Sequence, residues 1–323
     1  MLMEAATIGA MNAVLLTGDV SRLGMARSQI DQLWSLREEI DGEIRVPIRR
    51  TDSGWEDYRP MSPTLPVSLW HMSEDADDAE RVDRLPEAEA WDRISDVRGM
   101  GWGSGAAWYR FVTGQYDDYP VDALSASYAE VGRALESMRD DAEDPADIYI
   151  QHWIARNPVI TNTLAQLTTG GPCPLYHGGL LNCRVRYYDA VEQRPGLPAD
   201  TAALVDRVER GSFSVELVNL SPQHPRSVIL QAGAFGEHAF AHADIDGRDP
   251  ITVDSKWLRV DLGPAASTRL RITTRRFSGT PSYDTPWRRQ ADAPRIQPRD
   301  PNADPGNVIF EWETDHPRRK QVS

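Results

Sequence analysis

The sequence predicts an α+β multidomain chain: a helical N-terminal part, a partial α/α toroid, followed by an antiparallel β-sandwich. Three observations predict it. Apolar residues recur at helical spacing as far as Leu167, Thr168-Thr-Gly-Gly-Pro172 then interrupts the pattern, and beyond it the period drops to two. The expected domains are 1–170 helical, 175–278 β-sandwich and 279–323 a Pro-rich strap.

Small and apolar residues from Ala5 to Leu16 read as a helix that Thr17-Gly18-Asp19 ends. Leu23, Ile30, Leu33, Trp34 and Leu36 mark a second helix over 20–39, and Asp41-Gly42 a turn. A short extended piece at 44–48 and a long polar loop at 49–66 follow. Helices are then expected at 66–72, 75–84, 86–94, 106–113, 120–141, 144–155 and 158–167, with the acids Glu74 and Asp75 favouring a helix N-terminus. Paired helices in series suggest an α-toroid or α-solenoid, and no named repeat period stands out. In the second part, 184–188, 212–218, 227–230, 257–262 and 268–273 alternate as half-buried antiparallel strands. Residues 198–210 read as one inserted helix, and 308–312 as a last strand.

A chain of 323 residues is long enough for two cores. A net charge of −14, with Lys only at 256 and 320, argues against general nucleic-acid binding. No apolar run has bilayer-spanning length, so no membrane partner is expected. Residues 1–16 lack a basic start and include Glu4 and Asn12, a poor signal peptide. The chain as it stands therefore reads as cytoplasmic, and exported if an N-terminal segment is missing. Cys173 and Cys183 flank a short loop containing His177. A disulfide, a weak metal set and two structural thiols are the alternatives there, and no metal site is assigned.

The most informative segment is Asp52-Ser-Gly-Trp-Glu-Asp-Tyr-Arg59. Aromatic faces pack on a pyranose ring, while carboxylates and Arg bond its hydroxyls. Glycoside cleavage needs two carboxyl groups of different acidity, and a lyase needs a base with a group that neutralises a uronate. Asp52, Glu56, Asp57 and His71 are the acid/base candidates. Trp55, Tyr58, Arg59, Trp70, Trp102, Tyr109, His152 and Trp153 are the candidates for holding sugar rings. A solvated loop at 52–59 and satisfied core residues at Trp70-His71 and His152-Trp153 are the bland alternatives. Gly-x-Ser-x-Gly, His-Glu-x-x-His and Walker patterns are absent from the sequence. No cofactor is expected, except that Asp300, Asn302, Asp304 and Glu311 have the spacing of a loose calcium loop. Pro305 excludes an ordinary EF-hand there.

The run Thr7-Ile-Gly-Ala-Met-Asn-Ala-Val-Leu-Leu-Thr-Gly-Asp19, followed by a helix with Arg27 and Gln29, resembles helix pairs of (α/α)-toroid carbohydrate-active enzymes. A β-sandwich after such a toroid is common among polysaccharide lyases and several glycoside hydrolases. The resemblance implies hydrolysis or lyase cleavage of an oligo- or polysaccharide in a cleft of the helical domain. A full toroid would need about twice the helical residues present. The alternative is thus a non-catalytic glycan-binding or assembly subunit, a homo-oligomer or one completed by a partner chain.

Overall fold

Helix α1 (Leu2–Thr17) is apolar nearly all round, as a core helix is, and buries Ile8, Met11, Val14 and Leu15. Gly18, at φ 72°, closes it in the left-handed conformation, its N–H donating to Val14 O at 2.7 Å. Asp19 accepts from the Ser21 N–H at 3.2 Å and starts a 3-10 turn that runs into α2 (Leu23–Ser35). The computed structural model describes residues 2–85, 104–148, 152, 156–172, 180–287 and 295–296, with backbone alone for 2–7, 104 and 295–296. Among the described residues no helix is long and apolar enough to cross a membrane.

The second helix ends at Ser35 rather than Glu39, and the expected polar loop is a small sheet. Strands β1 (Glu38–Ile40), β2 (Glu43–Thr51) and β3 (Gly54–Arg59) pair antiparallel in that order. Asp41 and Gly42 both have positive φ, 56° and 78°, the two-residue turn that matches strand twist. It sets Ile40 opposite Glu43, and Asp52-Ser53 likewise sets Thr51 opposite Gly54. Alternating Ile44, Val46 and Ile48 supply the β-branched residues that a strand favours.

Helices α3 (Thr64–Ser73), α4 (Ala76–Asp83), α5 (Ser104–Val112), α6 (Tyr119–Arg139) and α7 (Asn162–Thr169) follow. Asp75, read as helix-dipole chemistry, makes an ion pair: Arg27 Nη2 lies 2.7 Å from Asp75 Oδ2 and 2.7 Å from Asp78 Oδ2. Arg81 joins Asp78 at 2.8 Å to Asp31 at 2.6 Å, so two guanidiniums and three carboxylates tie α2 to α4. The helix expected from residue 144 is absent over 141–148. There Asp141 Oδ1 accepts from the Glu143 N–H at 3.2 Å and Asp144 Oδ1 from the Ala146 N–H at 2.9 Å, local turns that compete with a helix. The helix expected at 86–94 lies outside the described residues.

Among the described residues the strand-rich part has two five-stranded sheets, of order β10-β9-β12-β7-β6 and β13-β11-β8-β4-β5. Their strands are β4 (Val185–Asp189), β5 (Arg194–Pro195), β6 (Thr201–Glu209), β7 (Ser212–Asn219), β8 (Arg226–Ala232), β9 (Ala239–Ile245), β10 (Ile251–Ser255), β11 (Trp257–Leu262), β12 (Ser267–Arg275) and β13 (Arg295–Ile296). Alternation is cleanest in β12, where Thr268, Leu270 and Ile272 point inward. The expected helix over 198–210 is strand β6. Its Ala, Leu and Arg favour a helix in isolation, but Ala203, Val205 and Val208 are buried and sheet pairing overrides that preference. The chain after β12 lies against its own sheet region, with Gly279 N–H donating to Glu237 O at 3.1 Å and Ser282 N–H to Phe235 O at 2.8 Å. The strand expected at 308–312 lies outside the described residues.

By internal contacts the chain forms two units, Met1–Arg184 with Val205–Phe213 and Val185–Leu204 with Ser214–Ser323.

Candidate functional site

The β2–β3 hairpin, with its turn, gathers six of the sequence-predicted residues. Its register sets Arg50 opposite Trp55, Arg49 opposite Glu56 and Pro47 opposite Tyr58. The Arg50 guanidinium lies 5.4 Å from the Trp55 ring centre, and the ring is partly exposed. Glu56 accepts from Thr51 Oγ1 at 2.6 Å, Ser53 Oγ at 2.7 Å and Arg49 Nη2 at 2.9 Å. The Thr51 hydroxyl, then the Ser53 hydroxyl, hold its carboxyl below the usual range, helped by the Arg49 charge. Asp57 has φ 60° and pairs with Arg59 through two bonds of 3.1 and 3.0 Å. The Tyr58 phenol is held above its ordinary value by its hydrogen bond to Glu38 on β1, with burial adding to this. Asp52 is exposed at the turn.

His71 stands elsewhere, wholly buried on α3, with Nε2 2.8 Å from Gly170 O. Because a carbonyl can only accept, Nε2 carries the proton in this contact. Trp70 packs edge-on against Tyr109, centroids 4.6 Å apart, and Trp108 lies 5.8 Å from the His71 ring. Burial first, then the charge of Asp83 and a hydrogen bond to it, push the Tyr109 phenol up to about 12. Trp70 is 6% and Tyr109 4% exposed, so neither ring offers a free face. Trp102 and Trp153 lie outside the described residues, as do Cys173, His177 and the calcium-loop candidates Asp300, Asn302, Asp304 and Glu311. Cys183 is buried.

His152 belongs to a third cluster that sequence reading did not assemble. Its Nε2 lies 2.5 Å from Asp141 Oδ2 and its Nδ1 3.2 Å from Glu143 Oε2. Arg156 reaches both acids, at 3.0 Å to Asp141 and 3.6 Å to Glu143, and donates to His152 O at 3.1 Å. Burial pushes the Asp141 carboxyl up, but the hydrogen bond from His152, the Glu143 N–H and the Arg156 charge outweigh it and leave the group lowered. Asp141, Glu143 and His152 could hold a metal ion, since their ligand atoms lie within 4.8 Å of one another. The Arg156 guanidinium already supplies positive charge to both acids, and a metal would have to displace it. The sequence signal for this cluster was the acid run 140–144 ahead of His152, hidden by the expected helix over 144–155.

Residues 1–165 match a family model described as a domain of unknown function, DUF8034. No curated protein and no solved structure matches the chain.

Proposed function

The chain belongs to the DUF8034 family, and on that premise we propose that it is a glycan-active protein that recognises an oligo- or polysaccharide through the β2–β3 hairpin. The observation that supports this reading is the partly exposed Trp55 ring, braced by Arg50 and flanked by carboxylates fixed in place by Thr51, Ser53, Arg49 and Arg59. A pyranose offers an apolar face to such a ring and hydroxyl donors to such acceptors. Glu56 is held ionised, which makes it a steady acceptor and a poor acid. Binding is therefore favoured over cleavage at this hairpin.

Cleavage is the second reading, and the Asp141–His152 pair favours it. A His oriented by a carboxylate beside an Arg has the parts of a proton-abstracting site for a uronate-containing polymer. In this reading Glu143, 58% exposed at its side chain, swings off Nδ1 to free the base. The finer architecture goes with these readings: two sheets forming a β-sandwich, and helices forming part of an α/α toroid.

The test is a glycan array followed by titration calorimetry and product analysis with the intact chain. Trp55→Ala is expected to abolish binding, and His152→Ala to leave binding intact while removing any product formation. Unchanged binding by Trp55→Ala would sink the hairpin reading.

A further inference from the structure

Helix α6 has two apolar faces, and its own unit covers one. Tyr119, Ala123, Ser127 and Ala134 are buried. Tyr119 Oη donates to Gln166 Oε1 at 2.8 Å, Ser127 shares a 2.7 Å bond with Thr163, and Phe111 stacks on Tyr119 at 5.6 Å. The second face is Val121, Leu124, Tyr128, Val131, Leu135 and Met138, spaced three, four, three, four and three residues apart. Five of the six are exposed: Val121 67%, Leu124 41%, Tyr128 82%, Leu135 40% and Met138 46%. Alternating steps of three and four are the seam of a coiled coil, and here they run through nearly three heptads of a 21-residue helix. The remaining arc holds Asp122, Glu130 and Glu136 against Arg133 and Arg139. That balance is the wrong sign for an anionic lipid surface, which selects Lys- and Arg-rich polar faces.

We propose that this seam docks on the same seam of a second copy of the chain, α6 against α6 antiparallel about a twofold axis between Ala129 and Glu130. Such a contact is isologous, so one stripe must complement itself. It does: Val121 faces the partner's Met138, Leu124 faces the partner's Leu135, and Tyr128 faces the partner's Val131. Each layer joins a larger side chain to an equal or smaller one. Charge fixes the direction. The seam's flanking positions set Asp118, at the helix start, beside the partner's Arg139, at the helix end, and do so twice by symmetry. Both residues are exposed. A parallel pairing would instead set Arg139 beside the partner's Ala134 and leave Asp118 without an opposite charge. The other residues on the flank that carries Asp118 and Arg139, Ser125 and Gly132, are small, which lets the two axes approach closely.

Light scattering after size exclusion on the full chain at micromolar concentration tests this. The wild type is expected at twice the chain mass, and Leu124→Glu with Leu135→Glu at one chain mass with unchanged far-UV circular dichroism. Both positions are exposed, so these substitutions leave the unit's own core intact. Asp118→Arg and Arg139→Asp should each weaken the dimer about tenfold, since two attractive pairs become repulsive. The two reversals together should restore it. A monomeric wild type overturns the proposal. So does a dimer that survives the double Glu variant, or one whose affinity ignores the charge reversals.

Discussion

Two regions of the first unit use the same chemistry, arginine against carboxylate, to opposite ends. In the α2–α4 clamp, Asp78 is wholly buried and receives Arg27, Arg81 and the Ser73 hydroxyl. In the β2–β3 hairpin, Arg49 and Arg59 are 64% and 55% exposed where they meet Glu56 and Asp57. Burial is the variable. A buried carboxylate cannot lose its partners without stranding charge in a poor solvent, whereas an exposed one exchanges protein donors for water or a ligand hydroxyl at little cost. The difference separates a joint from a recognition surface.

The sharpest way to break the comparison is Asp78→Ala, which leaves Arg27 and Arg81 facing each other without their shared acid. A loss of about 3–5 kcal/mol is expected in chemical denaturation; a change within error would show that the clamp is not a joint. Next, Gly171→Ala should destabilise by about 1–3 kcal/mol, because a Cβ there would meet Asn182 O at 2.5 Å. Arg59→Ala in the hairpin should change stability by no more than about 1 kcal/mol, while glycan binding weakens. Equal losses from Arg59→Ala and Asp78→Ala would erase the distinction between the two regions.

The smallest effect is in pH dependence, and it extends the comparison to the second unit. Arg81 hydrogen bonding first, with the Arg81 and Arg84 charges, holds the Asp31 carboxyl below its usual range, as Thr51 and Ser53 hold Glu56. Folded values below unfolded ones mean that their contribution is complete above the ordinary carboxylate range and fades as pH falls through the lowered values. Glu237 runs the other way. Burial pushes its carboxyl up against the hydrogen bonds from the Phe235 and Ala234 N–H groups. Its ionised form costs stability at neutral pH, and that cost is relieved as pH falls through the raised value. Hydrogen exchange, corrected for intrinsic rates, should show the Gly233–His238 turn firming as pH falls from 7 through the raised Glu237 value, with α2–α4 weakening only below the ordinary carboxylate range. Weakening of both regions over the same window would remove Glu237 as the opposing group.

Much of the fold was legible where one period governed a long stretch. Helix α6 and strand β12 announce themselves because a single face is buried along each. Strand β6 was not legible: helix-forming residues are common in it, and its strand state comes from pairing with β7. The hairpin was misread as a loop because Asp52, Asp57 and two glycines look like turn chemistry, although the strands between those turns are only six to nine residues long. Of the site, the residues Asp52–Arg59 were visible as a composition, while their mutual neutralisation was not. The Asp141–Glu143–His152–Arg156 cluster depends on a contact between residues eleven positions apart, which no periodicity encodes.

The corner at the end of α7 has a consequence for which sequences can adopt this fold. Gly170 sits at φ 62°, and a Cβ there would meet Val205 Cγ1 at 2.6 Å; its carbonyl receives His71 from α3. Gly171 follows with a carbonyl oxygen in the space where its side chain would go. In a saturation-mutagenesis map these adjacent positions should therefore form a deeper trough of intolerance than Asp52 or any residue of the exposed hairpin. Two letters with no side chain at all are thus harder to replace than every charged or aromatic residue of the hairpin.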